Sequence, residues 1–370
     1  MILLKKLTKV MPTGTKVDIY KSMKIEPDPV DHNFARLSAT NSEYTVTHRV
    51  PAELSGDFSG AVIDMHTLSM LIKNLQGGDQ ITLECVEDDI RVSTGVHSLD
   101  VPIKVTLALF DNYRTHFEKQ LAEPLPTFSV AADKLRQVFT RLVDFINPKE
   151  KNNRQYLVGA FMQVSEDCLT FVATNGTILA VNRLGVPEGA ASILPEGGVL
   201  IPLATMKAFL LNFSNCKDDI EIAVSQNGIS FIGYDAMLQS ELMDWSFPHY
   251  QNIFRGDYDK TVRLYTHAVI EAINTVTVLD ENKQAIVALT FTPGKLAVSA
   301  QRDPTQSIEC SAETDMEYKI HIRKDILLST FKHIGMNVVM RFEDIGRAII
   351  LADPDQPENT YCAMPYVPKQ

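Results

Sequence analysis

The sequence predicts an α+β fold built from three tandem copies of one domain, with helices on one face of antiparallel sheets. Three observations carry this expectation. An amphipathic helix followed by two short apolar strands occurs three times, from Ile63 to Gly95, from Ile201 to Gly233 and from Ile322 to Asp353. Ahead of each lies a helix, a strand, a turn and a second strand that ends near a short polar motif. That motif reads Ala39-Thr40-Asn41-Ser42, then Ala173-Thr174-Asn175-Gly176, then more loosely Ala300-Gln301-Arg302-Asp303. The motifs are 134 and 127 residues apart, a spacing that fits whole domains rather than the rungs of a solenoid.

The elements follow from period and punctuation. Six helices are expected, at residues 4–10, 64–75, 132–146, 202–213, 267–279 and 323–334. The first carries Leu3, Leu4, Leu7 and Val10, a shorter run of the spacing found in the next two. The second carries Leu68, Leu71, Ile72 and Leu75, and the third Leu135, Val138, Phe139 and Leu142, the i, i+3, i+4, i+7 stripe of a helix with one buried face. A single stripe places each helix on a sheet rather than inside a bundle. Alternation marks the strands Ile81-Thr82-Leu83-Glu84, Ile220-Glu221-Ile222 and Val339-Met340-Arg341-Phe342. Gly77-Gly78-Asp79 and Gln226-Asn227-Gly228 read as turns, and residues 26–33 as a hairpin loop. Linkers at 120–127 and 255–259 divide the chain into domains 1–123, 124–254 and 255–370. Just ahead of them stand Phe110-Asp111-Asn112-Tyr113 and Phe247-Pro248-His249-Tyr250, a matched pair.

With 45% hydrophobic and 22% charged residues, the composition is that of an ordinary soluble globular protein. No apolar run approaches the roughly 20 residues of a membrane span, and the start lacks the features of a signal peptide. Five cysteines stand far apart with no Cys-x-x-Cys pair, which points to a reducing cytoplasm and away from structural zinc. A net charge of −11 argues against a nucleic-acid partner until its distribution is considered. The six expected helices hold eleven Lys or Arg against five Asp or Glu, +6 in all, which leaves −17 for the remainder. Helices sharing one surface would make it electropositive on an acidic protein. Solvated helix faces often carry lysine, and the fifth helix, with Glu271 and no Lys or Arg, weakens the pattern.

Catalytic patterns are missing. The nine histidines are scattered, without a His-Glu-x-x-His pair for a metal. Pro12-Thr13-Gly14-Thr15-Lys16 lacks the first glycine of a phosphate loop and the helix that should follow it. There is no Gly-x-Ser-x-Gly, and Glu87-Asp88-Asp89 suits a solvated turn better than a metal site. The expectation is a non-enzyme with no metal and no cofactor that works by shape.

Several segments together resemble one family. Phe171-Val172-Ala173-Thr174-Asn175-Gly176-Thr177-Ile178-Leu179-Ala180-Val181 is similar to a segment whose usual form is Ala-Thr-Asp-Gly-His-Arg-Leu-Ala. Phe247-Pro248-His249-Tyr250 resembles Phe-Pro-Asp-Tyr, and Met364-Pro365-Tyr366 resembles a Met-Pro-Met ending. In order, spacing and three-copy plan these match the bacterial DNA polymerase III beta subunit, the beta sliding clamp, over almost the whole chain. The divergence also fits a clamp encoded by a phage or mobile element.

The resemblance implies a head-to-tail homodimer whose six domains close a ring around double-stranded DNA, helices inside and sheets outside. It implies sequence-independent DNA contacts by Lys134, Arg136 and Arg141 on the third helix, Lys149, Lys151 and Arg154 on the loop after it, Tyr156, and Lys207. It places a cleft for short peptides of the replicative polymerase, the clamp loader and repair polymerases between the second and third domains. Leu157, Thr174, Gly176, Thr177, Leu179, Pro248, Asn252, Ile253, Met364, Pro365 and Tyr366 would line it, with Leu157, Leu179, Ile253 and Met364 as apolar surface. Leu99 and Val101 on one side and Val278 and Leu279 on the other would form the dimer contact. The implied setting is the cytoplasm, at the replication fork, without membrane.

Departures from the family pattern bear on these expectations. The chain enters a helix almost at once, where the family has a strand first, so the first domain is expected to be altered. Asn175 replaces an acid, Thr177-Ile178 replaces His-Arg, Asn252 stands where Arg is common, and the tail Val367-Pro368-Lys369-Gln370 replaces Arg-Leu. Two other readings remain open from sequence: a clamp-like adaptor that binds peptides without closing a ring, and a repeat-built enzyme. Loss of the response to linear DNA would mark the adaptor, and a bound metal or cofactor the enzyme.

Overall fold

A computed structural model describes residues 2–56, 58–71, 73, 80–95, 97–118, 125–150, 154–165, 167–343 and 346–367. Ile72, Leu75, Gly77-Gly78-Asp79, Lys151, residues 120–124 of the first linker and Pro368-Lys369-Gln370 lie outside the described residues. The chain opens with α1 (Ile2–Thr8), β1 (Ser22–Pro27), β2 (Phe34–Thr40), β3 (Tyr44–Pro51), β4 (Ala61–Asp64), α2 (Met65–Leu71), β5 (Thr82–Val86), β6 (Asp89–Ser93), β7 (Ser98–Pro102) and α3 (Leu107–Glu118). It continues with β8 (Thr127–Ala131), α4 (Ala132–Leu142), β9 (Gly159–Ser165), β10 (Cys168–Thr174), β11 (Ile178–Gly185), α5 (Ala190–Ile193), β12 (Val199–Pro202), α6 (Leu203–Asn212), β13 (Asp219–Val224), β14 (Gly228–Ile232) and β15 (Ala236–Glu241). The remainder is β16 (Lys260–Tyr265), α7 (Thr266–Val276), β17 (Ile286–Thr292), β18 (Lys295–Ala300), β19 (Asp303–Glu313), β20 (Tyr318–Arg323), α8 (Lys324–Phe331), β21 (Asn337–Phe342), β22 (Ile349–Asp353) and β23 (Gln356–Ala363).

One module recurs through this order. A strand runs straight into a helix, and three further strands follow: β4-α2-β5-β6-β7, β8-α4-β9-β10-β11, β12-α6-β13-β14-β15, β16-α7-β17-β18-β19 and β20-α8-β21-β22-β23. A sixth copy, α1-β1-β2-β3, has no leading strand among the described residues. All six expected helices are therefore present, one in each module. Two helices, α3 and α5, were not expected. In α3 the apolar residues are interrupted by Asp111-Asn112 and Arg114-Thr115-His116, and Phe110 is buried against Ile19, Val62 and Val105. The matched motifs at 110–113 and 247–250 consequently differ in structure: the first lies on α3, and the second leads into a short 3-10 turn at Tyr250–Arg255.

Two compact units emerge, one from residues 1–139, 187–195 and 201–244, the other from 140–186, 196–200 and 245–370. Sheets that join distant stretches of chain set this division. In the first unit an eight-stranded antiparallel sheet runs β4-β1-β2-β3-β15-β14-β13-β8, and β5-β6-β7 form a separate three-stranded sheet. Its central seam pairs Tyr44 through His48 with Ser240 through Ala236. Leu135, Val138 and Phe139 of α4 are all buried as their spacing requires, and the Phe139 ring meets Phe209 and Phe231 edge-on at 5.1 and 5.9 Å. The buried His48 is paired: its Nε2 bonds Asn212 Oδ1 at 2.9 Å, and Asn212 Nδ2 donates to the Ala208 carbonyl. In the second unit a twelve-stranded sheet runs β12-β9-β10-β11-β23-β22-β21-β16-β19-β18-β17-β20. Its seam pairs Ile178 through Asn182 with Ala363 through Asn359.

The expected hairpin loop at 26–33 is organised by Asp28, whose side chain is almost wholly buried. One carboxylate oxygen accepts the backbone N–H groups of Val30 and Asp31 at 3.0 Å, and the other accepts Arg36 Nε at 3.0 Å and Arg49 Nε at 3.3 Å. Burial alone would raise the carboxyl pKa, but the two N–H donors and Arg36 outweigh it and hold it at about 2. Because that lies below the ordinary value of 3.8, the carboxylate contributes stability that is complete above pH 4 and lost as pH falls towards 2. Asp28→Asn should cost about 2 kcal/mol at neutral pH and flatten the fall of Tm between pH 4 and 2. Melting curves across that range check this, and an unchanged acid slope would remove the role assigned to Asp28.

Candidate partner site and basic helix residues

The turn between β10 and β11 is built by the Ala173-Thr174-Asn175-Gly176 motif. Asn175 Oδ1 accepts N–H groups from Thr177 and Ile178 at 3.0 Å and the Thr177 hydroxyl at 2.9 Å. Thr174 Oγ1 donates to the Ile178 carbonyl at 2.6 Å and accepts the Gly176 N–H at 3.1 Å. Gly176 takes φ +91°, and a Cβ there would stand 3.9 Å from Leu157 Cδ1 and 3.8 Å from Arg154 Nη1. Asn175 thus closes the turn with an uncharged side chain.

The C-terminus reaches the same turn. β23 pairs with β11, and just beyond it Met364 N–H donates to the Thr177 carbonyl at 2.9 Å. Two residues later Tyr366 N–H donates to the His321 carbonyl at 2.7 Å, which ties the tail to β20. A cavity of about 40 Å³ lies there, lined by Ile320, His321, Phe342, Glu343, Pro365 and Tyr366. Sequence reading missed His321 and Glu343, because they stand far from the tail and carry no motif. Burial, reinforced by Lys319, pushes the His321 imidazole below its ordinary pKa, so it is neutral at pH 7.

Pro248, Asn252 and Ile253 belong to a segment anchored on β9. Phe247 stacks on Phe161 at 4.9 Å between ring centres, and Tyr250 Oη accepts Gln163 Nε2 at 2.9 Å. This leaves Pro248 and Asn252 exposed and Ile253 half-buried. Leu157 and Leu179 do not stand open as apolar walls: they are 1% and 6% exposed, and form interior beneath the turn. Met364, 44% exposed, supplies the open apolar surface.

The basic residues divide by what they touch. Lys134 on α4, Lys207 on α6, Lys5 and Lys9 in and after α1, and Lys73 after α2 are exposed and form no ion pair among the described residues. Lys149 is exposed too. Arg136 and Arg141 are otherwise engaged, contrary to expectation. Arg136 Nη1 donates to the carbonyls of Phe213 and Cys216, satisfying groups left open after α6 ends. Arg141 donates to Gln356 Oε1 and Asn359 Oδ1. Arg154 pairs with Glu150 at 3.0 Å and lies beside Gly176, while Tyr156 sets its ring against Phe247 at 5.9 Å. Arg154 therefore lies by the turn. Lys332 is held by Asp144 at 2.7 Å.

Of the expected dimer residues, Leu99 on β7 is 48% exposed, and Val278 and Leu279, just past α7, are 76% and 87% exposed. Val101 is 3% exposed opposite the buried Ile90, whereas Leu99, two residues earlier on the same face and opposite the buried Val92, stays open. Among the described residues β7 pairs only with β6, and β19 meets β16 only through Ala312 and Glu313. Most of one edge of each strand is therefore open. No group of three His, Cys, Asp or Glu that could hold a metal is present among the described residues, and none of their helices is long and apolar enough to cross a membrane.

The family model described as DNA polymerase III beta subunit, central domain, matches residues 129–249. A beta sliding clamp of Caulobacter vibrioides is 25% identical over 312 residues, covering 81% of this chain and 80% of that protein. The crystal structure of the C. crescentus beta sliding clamp superposes with a TM-score of 0.85 at 20% identity, covering 99% of this chain and 96% of that one. A DnaN sliding clamp from Pseudomonas aeruginosa bound to griselimycin gives the same TM-score, identity and coverage. The fold is shared over almost the whole chain.

Proposed function

This chain is a divergent relative of the bacterial beta sliding clamps, and from that premise we propose that it is a DNA sliding clamp. It encircles double-stranded DNA and tethers the replicative polymerase and other partners through the surface around Met364. The observation that carries this reading is how the modules end. The final strands of four modules are consumed in pairs, β3 with β15 and β11 with β23. The final strands of the other two, β7 and β19, keep open edges, and each is near exposed apolar residues or carries one. A strand of one kind at each place gives a head-to-tail contact with a second copy, and such a contact makes a ring when the rotation closes. Two chains of three domains, 1–123, 124–254 and 255–370, make up the homodimer. Leu99, Val278 and Leu279 are its apolar contacts.

The lysines supply the DNA-facing charge. Lys5, Lys9, Lys73, Lys134 and Lys207 are exposed on a protein of net charge −11, so they attract phosphates while the remaining surface repels them. Long, solvated ammonium groups without a fixed partner suit contacts that read no sequence and permit sliding. The work is non-catalytic and is done in the cytoplasm at the replication fork. Polymerase, clamp loader and repair polymerases engage it through short peptides.

Topology is the property to test. Protein loaded on nicked circular DNA should co-elute with it and be released when the circle is cut. Leu279→Asp should halve the particle mass by light scattering and abolish retention on the circle. Equal retention on circular and linear DNA, or a monomeric wild type at micromolar concentration, would sink the encircling model.

A further inference from the structure

We propose that Asn227, in the turn between β13 and β14, is a site of spontaneous deamidation that converts to aspartate and isoaspartate as the protein ages. This goes beyond the clamp reading and does not depend on it. The pair Asn-Gly occurs twice in the sequence, at Asn175-Gly176 and Asn227-Gly228, each time between two paired strands. The reaction is the same at both. The glycine nitrogen gives its proton to water and bonds to the asparagine Cγ, the Cγ–Nδ2 bond breaks, and ammonia leaves. Water then opens the cyclic imide: addition at Cγ gives aspartate, and addition at the main-chain carbonyl gives isoaspartate, with the chain running through the side chain. Glycine favours the attack because no Cβ crowds the ring. The two sites differ in what holds the reacting atoms.

At Asn175 both partners in the attack are restrained. Its Oδ1 accepts the N–H groups of Thr177 and Ile178 and the Thr177 hydroxyl, so the amide is fixed away from the nucleophile. The Gly176 N–H, which must lose its proton, donates to Thr174 Oγ1 at 3.1 Å. Ring closure there has to break this whole set.

Asn227 is free of such restraint. It is exposed, as is Gln226 before it, and its side chain makes no hydrogen bond among the described residues. Ser225 closes the turn from its N–H at 2.8 Å and its hydroxyl at 3.3 Å, yet both bonds end on the Gly228 carbonyl, not on the nitrogen that attacks. Leu242 N–H donates to the Asn227 carbonyl at 2.8 Å, which draws charge out of the Asn227–Gly228 peptide group and makes its N–H more acidic. The products change the hairpin. Aspartate adds a negative charge at an exposed turn. Isoaspartate lengthens the main chain inside the turn that sets Val224 opposite Ile229, and pulls the Asn227 carbonyl away from Leu242.

Incubation of the full chain at neutral and mildly alkaline pH, followed by digestion and mass spectrometry, reads both sites in one sample. Asn227 is expected to lose its amide about tenfold faster than Asn175 or more, because the hydrogen bonds at Asn175 must break first. Paired aspartate and isoaspartate peptides should accumulate, at a rate that rises with pH. In urea the two rates should converge, since the restraints on Asn175 belong to the fold and both residues precede glycine. Asn227→Gln, whose side chain would have to close a larger ring, should remove the signal and leave Asn175 as slow as before. Equal rates in the folded protein, an Asn227 that outlasts Asn175, or a difference that persists in urea overturns the proposal.

Discussion

Replacing Met364 with Asp is expected to reduce capture of a polymerase-tail peptide by roughly a hundredfold or more, the loss typical of a central anchor. Met364 is held in place by its own N–H on the Thr177 carbonyl, which the substitution retains, while its 44% exposed thioether side chain is the apolar surface a peptide would meet. The change therefore puts a charge where an aliphatic or aromatic side chain must be desolvated, and leaves the backbone trace alone. Deleting residues 364–370 should have the same effect by a second route, since it also removes the Tyr366 tie to His321. Both variants should keep the wild-type mass in solution, because the open edges of β7 and β19 are untouched. Asn252 offers no cation, so binding should depend little on acidic groups in the peptide. Fluorescent peptides titrated against the three proteins decide the matter: affinity that survives both changes places the partner site elsewhere.

Gly198→Ala should lower stability by about 3 kcal/mol, combining overpacking with a left-handed backbone. Gly198 has φ +70°, and a Cβ built on it lies 2.6 Å from two Phe161 ring carbons and 2.8 Å from the Met162 carbonyl oxygen. Phe161 cannot yield freely, because its ring is stacked on Phe247. Any shift passes along that stack to the segment carrying Pro248, and Trp245, the single tryptophan, stands two residues before Phe247 and reports it by fluorescence. Gly197 is the built-in control: nothing lies within 4 Å of its Cβ position, so Gly197→Ala should stay within about 0.5 kcal/mol of wild type. Urea unfolding of both variants measures the contrast. Equal stabilities would show that the Phe161 contact is not a constraint on this loop.

The sequence by itself determined the six helices that recur with the modules, though not α3 and α5. Leu135, Val138, Phe139 and Leu142 announce α4 because a helix must put residues three and four apart on one face, and all four are buried. Ala173-Thr174-Asn175-Gly176 recurred in the sequence as a polar motif at a strand end, and it forms the turn there for a similarly local reason: Asn closes it with its side chain, and Gly takes the positive φ. Tertiary structure alone decided which strand edges are joined. Tyr44–His48 meets Ala236–Ser240 through main-chain groups that every residue shares, so no side-chain pattern marks the seam. The same holds for Arg136 and Arg141, two basic residues of α4. Carbonyls of Phe213 and Cys216 and side chains of Gln356 and Asn359, all distant in sequence, claim them once the chain folds. Leu99 and Val101 lie on the same face of β7, opposite the buried Val92 and Ile90, yet only Val101 is covered, and no local pattern marks the difference. Period is a property of the local backbone and can be read along the chain. A partner across space depends on where the chain returns, and that is settled only when the sheets close.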